Sequence, residues 1–231
     1  MLFRSREMLL DSQRPFVIAG GSGWTAQSAQ ALQRFAENWK LPVGNAFRCQ
    51  DLFDNHHPQY AGDVGIGINP KLAQRIREAD LILAVGVRLG EMTTSGYTLL
   101  EPPRPRQTLV HVHPGLEELG RVYAAELMLP CGPAQAGQAL ATIKPSRPVP
   151  WGAWSAAAHA DYLANLEAAA VAPLDLAAVM KTVQRLVPPD TIYTNGAGNF
   201  SGWLHRFIQY AGPAQQGRTQ LACTSGAMGY G

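Results

Sequence analysis

The sequence predicts an α/β protein whose first part is a doubly wound parallel sheet and whose second part is an incomplete α/β unit. Three observations predict it. Short apolar runs of strand length alternate with segments of helical period, and strands separated by helices need crossover connections, which build parallel sheets with helices on both faces. Glycine turns close the strand candidates, as at Gly20-Gly21-Ser22-Gly23, Gly86 and Asn195-Gly196-Ala197-Gly198-Asn199. The alternation is interrupted by Pro145-Ser146-Arg147-Pro148-Val149-Pro150, a composition that makes an extended, semi-rigid linker.

In order, residues 1–14 read as an amphipathic helical turn delivering the chain to a buried strand, Phe16-Val17-Ile18-Ala19. Residues 26–39 form a helix, with Ala29, Leu32, Phe35, Ala36 and Trp39 on one stripe. Leu41-Pro42-Val43 begins a second strand, and residues 50–69 read as a long loop. Residues 71–79 are helical, with Pro70 at the start. Strands follow at 81–85, 108–112 and 127–129, then a helix at 134–143. This closes a Rossmann-like domain over residues 1–145. Residues 146–173 are linker and an Ala-rich helix (151–172) that Pro173 ends. Residues 174–231 start a new unit with a helix at 176–186, a strand at 191–194 and a helix at 200–210. About sixty residues are too few to close a second doubly wound sheet.

At roughly 150 residues per domain, 231 residues suggest one and a half domains. A net charge of +2 points to neither nucleic acid nor a membrane surface, and Pro103-Arg104-Pro105-Arg106 reads as a solvated loop. Residues 1–14, with only short apolar stretches interrupted by charge, read as neither a signal peptide nor a membrane span. The three cysteines, Cys49, Cys131 and Cys223, are widely spaced and form no Cys-x-x-Cys pair. That favours reduced thiols in a cytoplasm over a disulfide framework or a zinc site.

Four motifs carry possible chemistry. Gly21-x-Gly23-x-x-Ala26 fits the turn that brings backbone close to a pyrophosphate. The next strand, however, ends in Asn45-Ala46-Phe47-Arg48, with no ribose-binding acid before Asp51. A tight structural turn explains the glycines at least as well. His111 and His113 share a strand face, but no third metal ligand has plausible spacing, and such pairs are more often structural. Arg88, just beyond the 81–85 strand, suits an anion, or else pairs with Glu91. The 195–199 turn can cradle a phosphate with its N–H groups. Gly226-Ala227-Met228-Gly229-Tyr230-Gly231 is glycine-rich too, but Met228 suits a heterocycle lying against the loop, or simply a core.

Residues 14–21, 79–88 and 110–112, followed by 192–203 and 226–231, resemble in that order the thiamine-diphosphate carboligases and decarboxylases, especially acetolactate synthase large subunits. The resemblance covers essentially the whole chain, as a central domain and the start of a diphosphate-binding domain. It implies a thiamine diphosphate and magnesium enzyme acting on a 2-keto acid, a homo-oligomer of two or four subunits. Gly198, Asn199 and Phe200 would then hold the diphosphate, and Gly226 would offer its carbonyl to the aminopyrimidine. Ala227 would belong to the same cofactor-binding stretch, and Met228 would bend the cofactor so that its amine lies near the reactive carbon. It also implies that the activating glutamate precedes Met1 and that the magnesium ligands follow Gly231. The chain alone is therefore expected to be inactive, with no catalytic residue or metal ligand of its own. Flavin-bearing relatives carry FAD near the positions of Gly20, Gly21 and Arg88. Leu89-Gly90-Glu91-Met92-Thr93-Thr94 and His113 depart from their pattern and argue against FAD. Two alternatives stand beside this reading: a non-catalytic Rossmann-like nucleotide-binding module, and a subunit completed by a partner.

Overall fold

A computed structural model describes residues 2–222; the side chains of Leu2 and Phe3 are not included. The elements in order are α1 (Leu2–Asp11), β1 (Pro15–Ala19), α2 (Ala26–Trp39), β2 (Val43–Ala46), β3 (Tyr60–Val64), α3 (Pro70–Glu78), β4 (Leu81–Val85), β5 (Thr108–His113), β6 (Leu127–Pro130), α4 (Pro133–Ala141), α5 (Gly152–Asn165), α6 (Leu176–Leu186), β7 (Tyr193–Asn195), α7 (Ser201–Phe207), α8 (Pro213–Gln216) and β8 (Gln220–Ala222). The first six strands form one sheet in the order β3-β2-β1-β4-β5-β6, with every neighbouring pair parallel. β7 and β8 form a separate parallel pair. The doubly wound α/β fold is thus observed.

Alternation along each strand decides which side chain meets which helix layer. Val17, Leu83, Val85, Val110 and Val112 pack with Leu32, Phe35 and Trp39 of α2 and Leu140 of α4. Phe16, Ile18, Ile82, Ala84 and Leu109 face Leu72 and Ile76 of α3. Both faces are therefore covered, as an all-parallel sheet requires. Thr25 and Ser28 cap α2 reciprocally, each side chain bonding the other's backbone N–H, a device worth about 1 kcal/mol.

Three stretches differ most from their sequence reading, and the helix read at 200–210 ends at Phe207. The segment read as a loop, 50–69, contains a 3-10 turn at Gln50–Leu52 and the whole of β3. Its Tyr-Ala-Gly-Asp-Val sequence has too few branched residues to announce a strand. Pairing with β2 supplies what local preference lacks. The Ala-rich helix stops at Asn165 instead of 172, because beyond it few apolar side chains meet the sheet. The opening residues make a full ten-residue helix rather than a turn.

α5 covers the β3 edge, which would otherwise be open to pairing. Trp151 is buried, donates to the Trp39 carbonyl at 2.7 Å and stacks on the Trp39 ring. Trp154 donates to the Pro15 carbonyl at 3.0 Å, His159 bonds the Tyr60 carbonyl at 2.8 Å, and Asp161 pairs with Arg75 and Lys71.

The turns after β1 and β4 touch. A Cβ on Gly21, at φ +77°, would sit 2.0 Å from the Gly86 carbonyl oxygen. Gly67, at φ +78°, has nothing within 4 Å of that position. Gly21→Ala should therefore lower stability by at least about 2 kcal/mol, through clash and backbone strain together. Gly67→Ala should cost only the left-handed backbone term, roughly 1 kcal/mol. Urea unfolding of both variants checks the difference.

Candidate functional site

Between β1 and β4 the chain turns outward in opposite directions, so a crevice opens over the carboxyl ends of the strands. Its volume is about 760 Å³, and its walls include Gly21, Ser22, Arg48, Arg88, Arg218 and Gln220. Three arginines and one carboxylate, Glu91, line it. Glu118 takes the Nε of Arg88 and Asp51 that of Arg218, and the guanidinium edges left over suit an anion. Gly20 lies behind the wall, where a Cβ would come 2.5 Å from the Ala46 Cβ.

Arg88 does not pair with Glu91. Its Nε lies 3.2 Å from Oε2 of Glu118, a half-buried residue on the loop after β5. Both Arg88 and Glu91 line the crevice, but the sheet brings the loops after β4 and β5 together, and Arg88 takes its partner from the second of them. His111, 2 % exposed, bonds the Val87 carbonyl at 2.9 Å, and burial holds its pKa below the ordinary value. It therefore serves as a neutral donor that fixes the turn carrying Arg88. His113 bonds around Gly115. These two histidines are accounted for structurally. Among the described residues no group of three or more His, Cys, Asp or Glu could hold a metal.

The other side of the crevice comes from residues that sequence reading did not select. Arg48 has φ +66° and lays its guanidinium 4.6 Å over the Phe47 ring. Arg218 reaches in from beyond α8 and pairs with Asp51 at 2.8 Å. Asp51 is fully buried, so it is not free to hold a ribose. Burial raises the Cys49 thiol, against the lowering effect of Arg218, which keeps it protonated and unreactive. No spacing signal could have linked Asp51 to Arg218, since 167 positions separate them.

Gly198, Asn199 and Phe200 occupy the exposed turn between β7 and α7, outside the crevice lining. Among the described residues their N–H groups donate to no protein acceptor, and the buried Oδ1 of Asn195 below them has no partner. Open donors on an exposed turn fit a diphosphate. Gly226, Ala227 and Met228 lie outside the described residues.

A second, polar cavity of about 190 Å³ lies between β3, α5 and α7, lined by Asp63, Tyr162 and His205 among others. Burial pushes the Asp63 carboxyl up to about 8, against the lowering effect of Gln50. Burial, with the Arg48 charge adding, pushes His205 down to about 4. The ordinary value for Asp63 is 3.8, so the folded form holds this proton more tightly than the unfolded chain does. Its contribution to stability is therefore lost as pH rises from about 4 to about 8. Asp63→Asn should flatten the decline of the urea midpoint across that window. An unchanged slope would mean that other groups cause it.

The family model described as "Thiamine pyrophosphate enzyme, central domain" matches residues 4–140. The chain belongs to the thiamine pyrophosphate (thiamine diphosphate) enzyme family. Similar curated proteins include the 3D-(3,5/4)-trihydroxycyclohexane-1,2-dione hydrolases of Bacillus cereus (strain AH820), Bacillus anthracis (strain A0248) and Bacillus thuringiensis (strain Al Hakam). Each is 30% identical over 95 residues, 41% of this chain. The matched stretch spans 15% of the length of each relative. Among the described residues no helix is long and apolar enough to cross a membrane.

Proposed function

We propose that this protein contributes to a thiamine-diphosphate- and magnesium-dependent enzyme that makes or breaks a carbon–carbon bond beside two adjacent carbonyls, with a 2-keto acid as substrate. The observation that carries the reading is the order of parts: a matched central domain over residues 4–140, then a strand, an open glycine turn and a helix at 193–207. When bound, the cofactor supplies an electron sink for the bond that breaks next to a carbonyl. The chain's own contribution is to hold. Backbone N–H groups of Gly198, Asn199 and Phe200 bind the diphosphate, and Gly226, Ala227 and Met228 orient the heterocycle. The enzyme works as a homo-oligomer in the cytoplasm, its site completed by residues outside this chain.

The hydrolase relatives favour a second reading. Their printed substrate is a cyclic 1,2-dione, which shares the adjacent carbonyls of a 2-keto acid, so ring opening by hydrolysis is the alternative outcome of the same chemistry. The crevice at β1 and β4 we assign to a phosphate-bearing ligand of nucleotide type, on the strength of its three arginines. FAD is not part of this reading.

The holoenzyme, supplied with thiamine diphosphate and magnesium, should release carbon dioxide from pyruvate. Opening of cyclohexane-1,2-dione without carbon dioxide would move the assignment to the second reading. No reaction with either, while the cofactor is bound, would sink both. In the same holoenzyme Asn199→Pro, which removes one of these N–H groups, should weaken thiamine diphosphate binding about tenfold, the value of one hydrogen bond to a charged group. Asn199→Ala, which keeps it, should leave binding and the melting temperature unchanged. Calorimetry and thermal denaturation check the pair.

A further inference from the structure

The first 145 residues and the second unit meet through a buried polar joint. Asp51, 0 % exposed, stands in the 3-10 turn just after β2. Its Oδ2 accepts three hydrogen bonds from the other side of the joint: Arg218 Nε at 2.8 Å, the Thr219 N–H at 2.9 Å and the Gln220 N–H at 3.0 Å. Beside it the Gln50 N–H donates to Gln220 Oε1 at 2.8 Å, and the Gln220 side-chain amide donates to Gln50 Oε1. Asn55 and Tyr210 exchange a second pair, the Asn55 N–H to the Tyr210 carbonyl at 2.8 Å and the Tyr210 N–H to Asn55 Oδ1 at 3.0 Å.

Such a joint is directional in a way that apolar packing is not. A carboxylate that collects three donors from consecutive residues accepts one placement of the segment and rejects its neighbours. The segment it places is also the far wall of the crevice, since Arg218, Gln220, Leu221 and Ala222 all line it. Among the described residues Arg218 gives only its Nε to a carboxylate. Its side chain is partly exposed and faces the same space as Arg48 and Arg88.

We propose that Asp51 is a positioning residue that acts through Arg218, docking β8 against the end of β2 so that the crevice presents a guanidinium from the second unit to an anionic ligand. This rests on the crevice reading given under the proposed function and deepens it. Asp51 itself never touches the ligand. If it is removed, the partly exposed guanidinium and the two buried N–H groups lose their acceptor, and the wall loses its register.

The test uses the full chain with ADP and inorganic pyrophosphate as probes. Arg218→Ala should weaken ADP binding at least tenfold, and Asp51→Asn should do the same. The double variant should bind no more weakly than Arg218→Ala alone, because both changes remove one element. Multiplied effects would overturn the action through Arg218. Hydrogen exchange at the Thr219 and Gln220 amides should quicken at least tenfold in Asp51→Asn, with β1 and β4 unchanged. Unchanged exchange at 219 and 220 would overturn the clasp. If Asp51→Asn does not fold, Arg218→Lys carries the argument, since lysine keeps the charge but not the Nε geometry. It should bind ADP as weakly as Arg218→Ala, and full affinity would overturn the proposal. A wild-type chain that binds neither probe overturns the crevice reading and the ligand half of this proposal, and the exchange result then decides the clasp by itself.

Discussion

The structure depends on the close approach of two turns, the one leaving β1 and the one leaving β4. The Gly21 backbone stands against the Gly86 carbonyl with no room for a side chain, so the two central strands can run side by side to their ends. Beyond that point the connections part, one toward β2 and α2, the other toward β5. The divergence is a consequence of strand order and right-handed crossovers, and it leaves a crevice that no side chain was needed to carve. Around that opening stand Arg88 with Glu118 behind it, Arg48 on its left-handed turn, and the wall lent by the second unit, which Asp51 holds.

Two kinds of adhesion operate. Within the first unit, apolar side chains of alternate strand positions meet helices on both faces, each fully buried Leu, Ile or Val contributing about 1.5–3 kcal/mol. That term is large but tolerant of small displacements. Between the units the contact is polar, built on Asp51, Gln50 and Asn55. Its net contribution is modest, because desolvation offsets most of what the bonds return, but its geometry is strict. The division suits a molecule in which the sheet is a scaffold and the seam is set by directional bonds.

The legibility of the chain follows the same division. The stripe of Ala29, Leu32, Phe35, Ala36 and Trp39 named a helix and its buried face, and all five are buried. Leu81 to Val85 announced a strand covered on both sides. By contrast β3 was invisible: Tyr-Ala-Gly-Asp-Val has weak preference of its own and becomes a strand by pairing with β2 and lying under α5. Arg88 was legible as a residue of the opening beyond β4, since its place beyond a strand end follows from local order. Its partner was not, because Glu118 arrives on a different loop. Asp51 looked like the first acid after an expected ribose position, and the fold turned it inward toward Arg218.

By itself the sequence determined which segments form strands and helices wherever apolar period is strong, that the sheet is parallel, where glycines must close its turns, and which family the chain resembles. Those properties reside in neighbours along the chain, where period and turn chemistry act. The tertiary structure alone decided that Arg48, Arg88 and Arg218 share one crevice, that His111 and His113 are structural, and that Asp51 joins the units. These depend on pairings across tens to more than a hundred residues, and a buried carboxylate chooses its partner by desolvation and geometry, neither of which leaves a mark on spacing.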